Sequence, residues 1–123
     1  MSDLEPLSQQ QVEDEISRLS GQLTTNTVDN REAAMQAAKA DVAYKLAMAR
    51  GWIRERGHKG TVAEKEADIL LSCEREFEDH KLTEAVYKAT QEKGRNLRAQ
   101  LDALRTVNAN IRASIDYSHG RGG

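Results

Sequence analysis

The chain has 123 residues, of which 38% are hydrophobic, 4% aromatic and 31% charged, and a formal net charge of −2. That is enough chain for one domain but too little large apolar material for a thick globular core, and much of the hydrophobic count is alanine. No run approaches the roughly 18 to 20 apolar residues of a bilayer span, and the acidic N-terminus lacks the basic and apolar regions of a secretory signal; a cytoplasmic protein that does not enter membranes is expected.

The single proline, Pro6, leaves residues 7 to 123 without a hard helix breaker, so long helices are expected. Residues 1–7 read as a short tail. Ser8 followed by Gln11 forms a capping-box pattern, and Leu7 is placed to pack on Val12 as a hydrophobic staple. The first helix, residues 8–56, carries Val12, Ile16, Leu19 and Leu23 in four-three steps. The same register then meets Asn26, Asn30, Ala33, Ala37, Ala40, Tyr44 and Ala47, so the period survives while the hydrophobicity thins. The stretch Gly21 to Asn30, with three threonines and two asparagines, has poor helix propensity and reads as a kink, a break or a polar seam. The alanine-rich stretch Arg31 to Arg50 is the strongest intrinsic helix, and its small side chains let a partner helix approach closely.

A turn is expected over residues 57–60, where Gly57 or Gly60 can supply a left-handed C-cap. Thr61 with Glu64 then opens a second capping box and a second helix over residues 61–115. Gly94 interrupts that helix at a cost of about 1 kcal/mol relative to alanine, so it marks a bend or a close contact. Beyond it, Leu97, Leu101, Leu104, Asn108, Ile111 and Ile115 keep one face apolar for more than two heptads, with one polar residue at a seam position. The domain thus spans residues 8–117, and residues 118–123 read as a disordered basic tail.

Charge alternates in blocks. Residues 1–38 hold seven acids and two bases, 39–60 six bases and two acids, 61–80 seven acids and two bases, and 81–123 eight bases and four acids. A chain that reverses near residue 58 sets opposite signs side by side throughout. The fold expected is therefore all-α: a long, coiled-coil-like antiparallel helical hairpin. Two helices cover just one stripe each, which offsets chain entropy poorly, so assembly into a homo-oligomeric helical bundle is expected. Leu97, Leu101, Leu104, Asn108, Ile111 and Ile115 are its oligomerisation seam, unless the Val12 to Leu23 stripe of the same chain closes over them. Cys73, the only cysteine, is read as a packing thiol.

No catalytic, phosphate-loop or metal-ligand pattern occurs, and His58, His80 and His119 have no second His or Cys at ligand spacing. A non-enzyme without cofactor or metal is expected. The acidic run Glu74, Glu76, Glu78, Asp79 is spread around a helix and reads as a solvated face. The stronger functional lead is the basic cluster near the turn: Arg50, Arg54, Arg56, His58 and Lys59, flanking Trp52, the only tryptophan. Such cations neutralise phosphates, and an exposed indole stacks on an unpaired base for roughly 1 to 3 kcal/mol. The alternative is that Trp52 and Ile53 pack under the turn while the cations pair with the acids of 61–80. A second basic set, Lys88, Lys93, Arg95, Arg98, Arg105 and Arg112, either follows a nucleic-acid backbone or flanks a seam.

The segment Tyr44-Lys-Leu-Ala-Met-Ala-Arg-Gly-Trp52, followed by a charged turn and a Lys/Arg/Glu-rich helix, resembles the small helical proteins that tailed bacteriophages encode beside their recombination genes, with UvsY-type recombination mediators the nearest characterised relatives. The likeness covers residues 35 to 85. It implies an oligomeric factor in the host cytoplasm that binds single-stranded DNA and helps load a recombinase while displacing the single-strand-binding protein. The family's basic patch on the second helix has no counterpart here, since Glu64 to Asp79 is acidic, so its binding residues do not transfer. The competing expectation is a coiled-coil structural or adaptor protein that acts through protein contacts alone.

Overall fold

The computed structural model describes residues 8–122 and is all-α: helix α1 (Gln9–Arg54), helix α2 (Val62–Ser72) and helix α3 (Glu74–Gly122), with no strand among the described residues. Residues 1–7, with the expected tail and the Leu7 staple, and Gly123 lie outside the described residues. The chain forms two compact units: one joins the segment up to Val28 with the segment from Glu92 onward, and the other is Asp29–Gln91. In each, α1 runs antiparallel to the returning helices.

The first expected capping box forms in full and the second through its N-cap side chain. The Ser8 amide donates to Gln11 Oε1 at 2.8 Å while Ser8 Oγ accepts from the Gln11 amide at 3.1 Å. At the second start, Thr61 Oγ1 accepts from the Glu64 amide at 3.1 Å. Between the helices Gly57 (φ 80°) and Gly60 (φ 139°) occupy the left-handed region, which a side chain would make costly. The Gly21 to Asn30 segment resolves as unbroken helix. Thr24, Thr25 and Thr27 return their hydroxyls to the carbonyls of Ser20, Gly21 and Leu23, four residues back, so these side chains satisfy themselves on the helix rather than breaking it.

The unit formed by the two chain ends contains the apolar seam. Leu19, Leu97 and Leu101 are buried together, with Ile16, Leu23 and Leu104 packed against them. The Leu97 stripe is thus covered by the stripe of its own chain, one of the two arrangements the sequence left open. Leu97, Leu101 and Asn108 are buried, Leu104 and Ile111 half-buried, and only Ile115 is exposed. The reason is spacing: both stripes repeat in the same four-three steps, so antiparallel approach interlocks them. Asn26 continues the seam, buried opposite Gly94, where an added Cβ would lie 2.5 Å from Asn26 Oδ1. Gly94 is therefore a close-contact residue.

Asn108 Oδ1 is buried with no hydrogen-bond partner among the described residues. An unsatisfied buried acceptor costs about 1 to 3 kcal/mol. Replacing Asn108 by Leu is expected to raise stability by about 1 to 2 kcal/mol, visible as a higher urea midpoint; a lower midpoint would show that the amide is satisfied in solution.

In the Asp29–Gln91 unit the seam is built from small and polar residues. Ala33, Ala40, Gly51, Ile69 and Cys73 are buried, and Asn30 Oδ1 accepts from Thr90 Oγ1 at 2.9 Å. Gly51 lets Ile69 come so near that a Cβ there would sit 2.7 Å from Ile69 Cγ2. The expected second helix is divided at Cys73, between α2 and α3. Ser72 Oγ donates back to the Ile69 carbonyl at 2.7 Å, and Cys73, at φ −108° and ψ 15°, shares its amide between the Ile69 and Leu70 carbonyls. Helix α3 also runs past the expected end at 115, through residues assigned to a tail, to Gly122.

The oppositely charged blocks make few direct contacts. Ion pairs among the described residues fall mostly within single helices, such as Lys45 with Asp41 and Lys88 with Glu84; between the helices, Arg112 meets Glu13 at 3.1 Å and His80 approaches Asp41 at 3.9 Å. Block sign sets a field, not a set of contacts.

Candidate nucleic-acid interface

Helix α1 ends in the basic cluster. Arg54 lies in its last turn, where the negative end of the helix dipole favours a cation. The Gly57 turn is followed by His58 and Lys59, so all five residues of the expected cluster, Arg50, Arg54, Arg56, His58 and Lys59, are exposed around one reversal of the chain.

Their partners differ. Arg54 Nη2 donates to Ser72 Oγ at 3.2 Å, which ties the end of α1 to the end of α2. His58 Nδ1 lies 3.4 Å from Glu55 Oε2. Among the described residues Arg50, Arg54, Arg56 and Lys59 make no ion pair, with the acids of 61–80 or any others. Trp52 is 37% exposed and Ile53 60%, so neither is buried under the turn. Gly51 and Ile69 fill that space instead, and their contact turns the next two side chains outward. The apolar surface continues in exposed Val62, Leu70 and Leu71.

The second basic set is engaged differently. Lys88, Arg95 and Arg105 pair with Glu84, Glu92 and Asp102 on their own helix, and Arg112 reaches Glu13. Hydrogen bonding from Lys88, helped by the charges of Lys88, Lys81 and His80, holds the Glu84 carboxyl below the usual carboxylate range. Four of the six cations of this set are thus in ion pairs, three of them within α3.

The sequence reading missed a ring cluster in the Asp29–Gln91 unit. Tyr44 stacks on His80 at 5.5 Å and 15°, and Phe77 meets Tyr44 edge-on at 5.6 Å and 65°. His80 Nε2 faces Glu84 at 3.7 Å and Asp41 at 3.9 Å, while its buried Nδ1 has no hydrogen-bond partner among the described residues. The signal was present, since stepping back from Leu97 in the same four-three pattern reaches Gly94, Thr90, Tyr87, Thr83 and His80. Beside this seam an open groove of about 460 Å³ is lined by Ala33, Leu82 and Val86 together with Asp29, Glu32 and Gln36.

Among the described residues no group of three or more His, Cys, Asp or Glu side chains is arranged to hold a metal ion, and no helix is long and apolar enough to cross a membrane. Comparison with known proteins finds no family model, curated protein or solved structure that matches this chain.

Proposed function

We propose that the chain is a non-enzymatic accessory protein that binds single-stranded DNA at the turn between α1 and α2. The observation that carries this reading is the set of exposed cations Arg54, Arg56 and Lys59, which make no ion pair among the described residues, beside the exposed Trp52. Cations neutralise phosphates with release of counterions, and an indole supplies a stacking platform indifferent to base identity. The resemblance to UvsY-type mediators supports the further assignment that the bound strand is passed to a recombinase, with a single-strand-binding protein as the species displaced.

A fluorescence-anisotropy titration with a single-stranded oligonucleotide at two salt concentrations tests it. Affinity is expected to fall steeply with salt, and the triple reversal Arg54→Glu, Arg56→Glu, Lys59→Glu to weaken binding by about 100-fold or more while lowering the salt slope by about 2. Trp52 is the sole tryptophan, so quenching of its fluorescence on binding is an independent readout. Absence of binding at low salt would overturn the DNA reading. The second reading, an adaptor acting through protein contacts, is favoured by exposed Ile53, Val62 and Leu71 at the same end, an apolar surface more typical of a protein interface.

A further inference from the structure

The seam accounts for one face of α1 within the Asp29–Gln91 unit, and the opposite face is also patterned. Two residues after Asn30, Ala33, Ala37, Ala40, Tyr44, Ala47 and Gly51 come Glu32, Met35, Lys39, Val42, Leu46, Ala49 and Ile53. A step of two residues turns about 200° around a helix, so these seven form a second four-three stripe on the far side. Five are apolar, and the large ones are exposed, from 47% at Met35 to 60% at Ile53. A solvated helix back carries charged residues at such positions. Here the stripe repeats at heptad spacing with no helix of its own chain over it.

We propose that this stripe is the interface through which two copies of the chain associate, with the two α1 helices antiparallel. Two observations select a second copy in that orientation. The stripe is self-complementary: in antiparallel coiled packing alternate positions face each other, so Met35 of one copy meets Leu46 of the second copy, and Glu32 and Lys39 meet Ala49 and Val42. Charge agrees. The N-terminal flank of the stripe holds Asp29, Arg31 and Glu32, and the C-terminal flank holds Lys45 and Arg50, so antiparallel pairing brings Asp29 level with Arg50 of the second copy, whereas parallel pairing sets each group against its own kind. Neither Asp29 nor Arg50 has an ion-pair partner among the described residues of its own chain.

Lys39 lies near the two-fold axis. Its stem covers Val42 of the second copy and its ammonium reaches the rim, a polar residue in the seam that fixes register. Arg50 then serves the interface, and Arg54, Arg56 and Lys59 remain for DNA. The interface does not depend on the DNA reading and is tested by mass.

Sedimentation equilibrium of the full chain at micromolar concentration is expected to give twice the 13.7 kDa chain mass. Val42→Glu with Leu46→Glu is expected to weaken association by at least about 100-fold with helix content by circular dichroism unchanged, because both side chains are exposed in the single chain. Asp29→Arg alone and Arg50→Asp alone are each expected to weaken it by about tenfold, and the double swap to restore it. A monomeric wild type overturns the proposal, as does a dimer indifferent to Val42→Glu with Leu46→Glu. Single reversals that the double swap fails to rescue overturn the antiparallel register.

Discussion

Leu101→Ala is expected to lower the free energy of unfolding by about 3 kcal/mol, within the range for fully buried leucines truncated in place. Leu101 is 1% exposed and belongs to a cluster with only two other buried side chains, Leu19 and Leu97. Truncation at Leu101 also removes the packing surface of the half-buried Ile16, Leu23 and Leu104 around the cluster. Urea denaturation followed by circular dichroism measures the loss, and hydrogen exchange locates it. Protection should fall first in the unit built from the two ends of the chain, because Leu101 packs there. A loss below about 1 kcal/mol would mean that these helices are not held by this seam.

Gly51→Val is expected to destabilise the Asp29–Gln91 unit by about 2 to 3 kcal/mol. A Cβ at residue 51 would stand 2.7 Å from Ile69 Cγ2 and 3.1 Å from Cγ1, and Ile69 is 1% exposed, so a stiff, β-branched neighbour has nowhere to move. Gly21→Ala is the contrasting control. No atom lies within 4 Å of a Cβ there, so the substitution should add about 1 kcal/mol through helix propensity. If thermal melting ranks the two variants equally, the close approach of Gly51 and Ile69 is not present in solution.

The local punctuation of the fold was legible because it is chemistry within a few residues. The capping oxygens of Ser8 and Thr61 and the left-handed Gly57 each act within a turn of their own position, and sequence shows all three. The apolar stripes were legible too, but not what covers them. A leucine at seam spacing has the same hydrophobic incentive whether the covering helix belongs to its own chain or to another, so Leu97 to Ile115 read equally well as an oligomer seam. The Cys73 break was hidden because it rests on a serine hydroxyl returning to the Ile69 carbonyl, and serine within a helix does so only in some contexts. Which way Trp52 faces was left open by the sequence for a related reason. Its outward direction follows from Gly51 being pressed against Ile69, eighteen positions further along the chain.

The pairing of Asn26 with Gly94 has a consequence for alignment. Two helices with uniform heptads can slide past each other by seven residues and bury nearly the same area, which makes slipped forms a standing competitor of the native one. Here Asn26 works as a key and Gly94 as its slot, the one seam position of α3 with no side chain to obstruct the amide. A slip of one heptad would press that amide against Leu101, leaving its polar atoms among hydrocarbon at about 1 to 3 kcal/mol. The glycine that weakens α3 as an isolated helix is thus what makes one alignment of the pair unique.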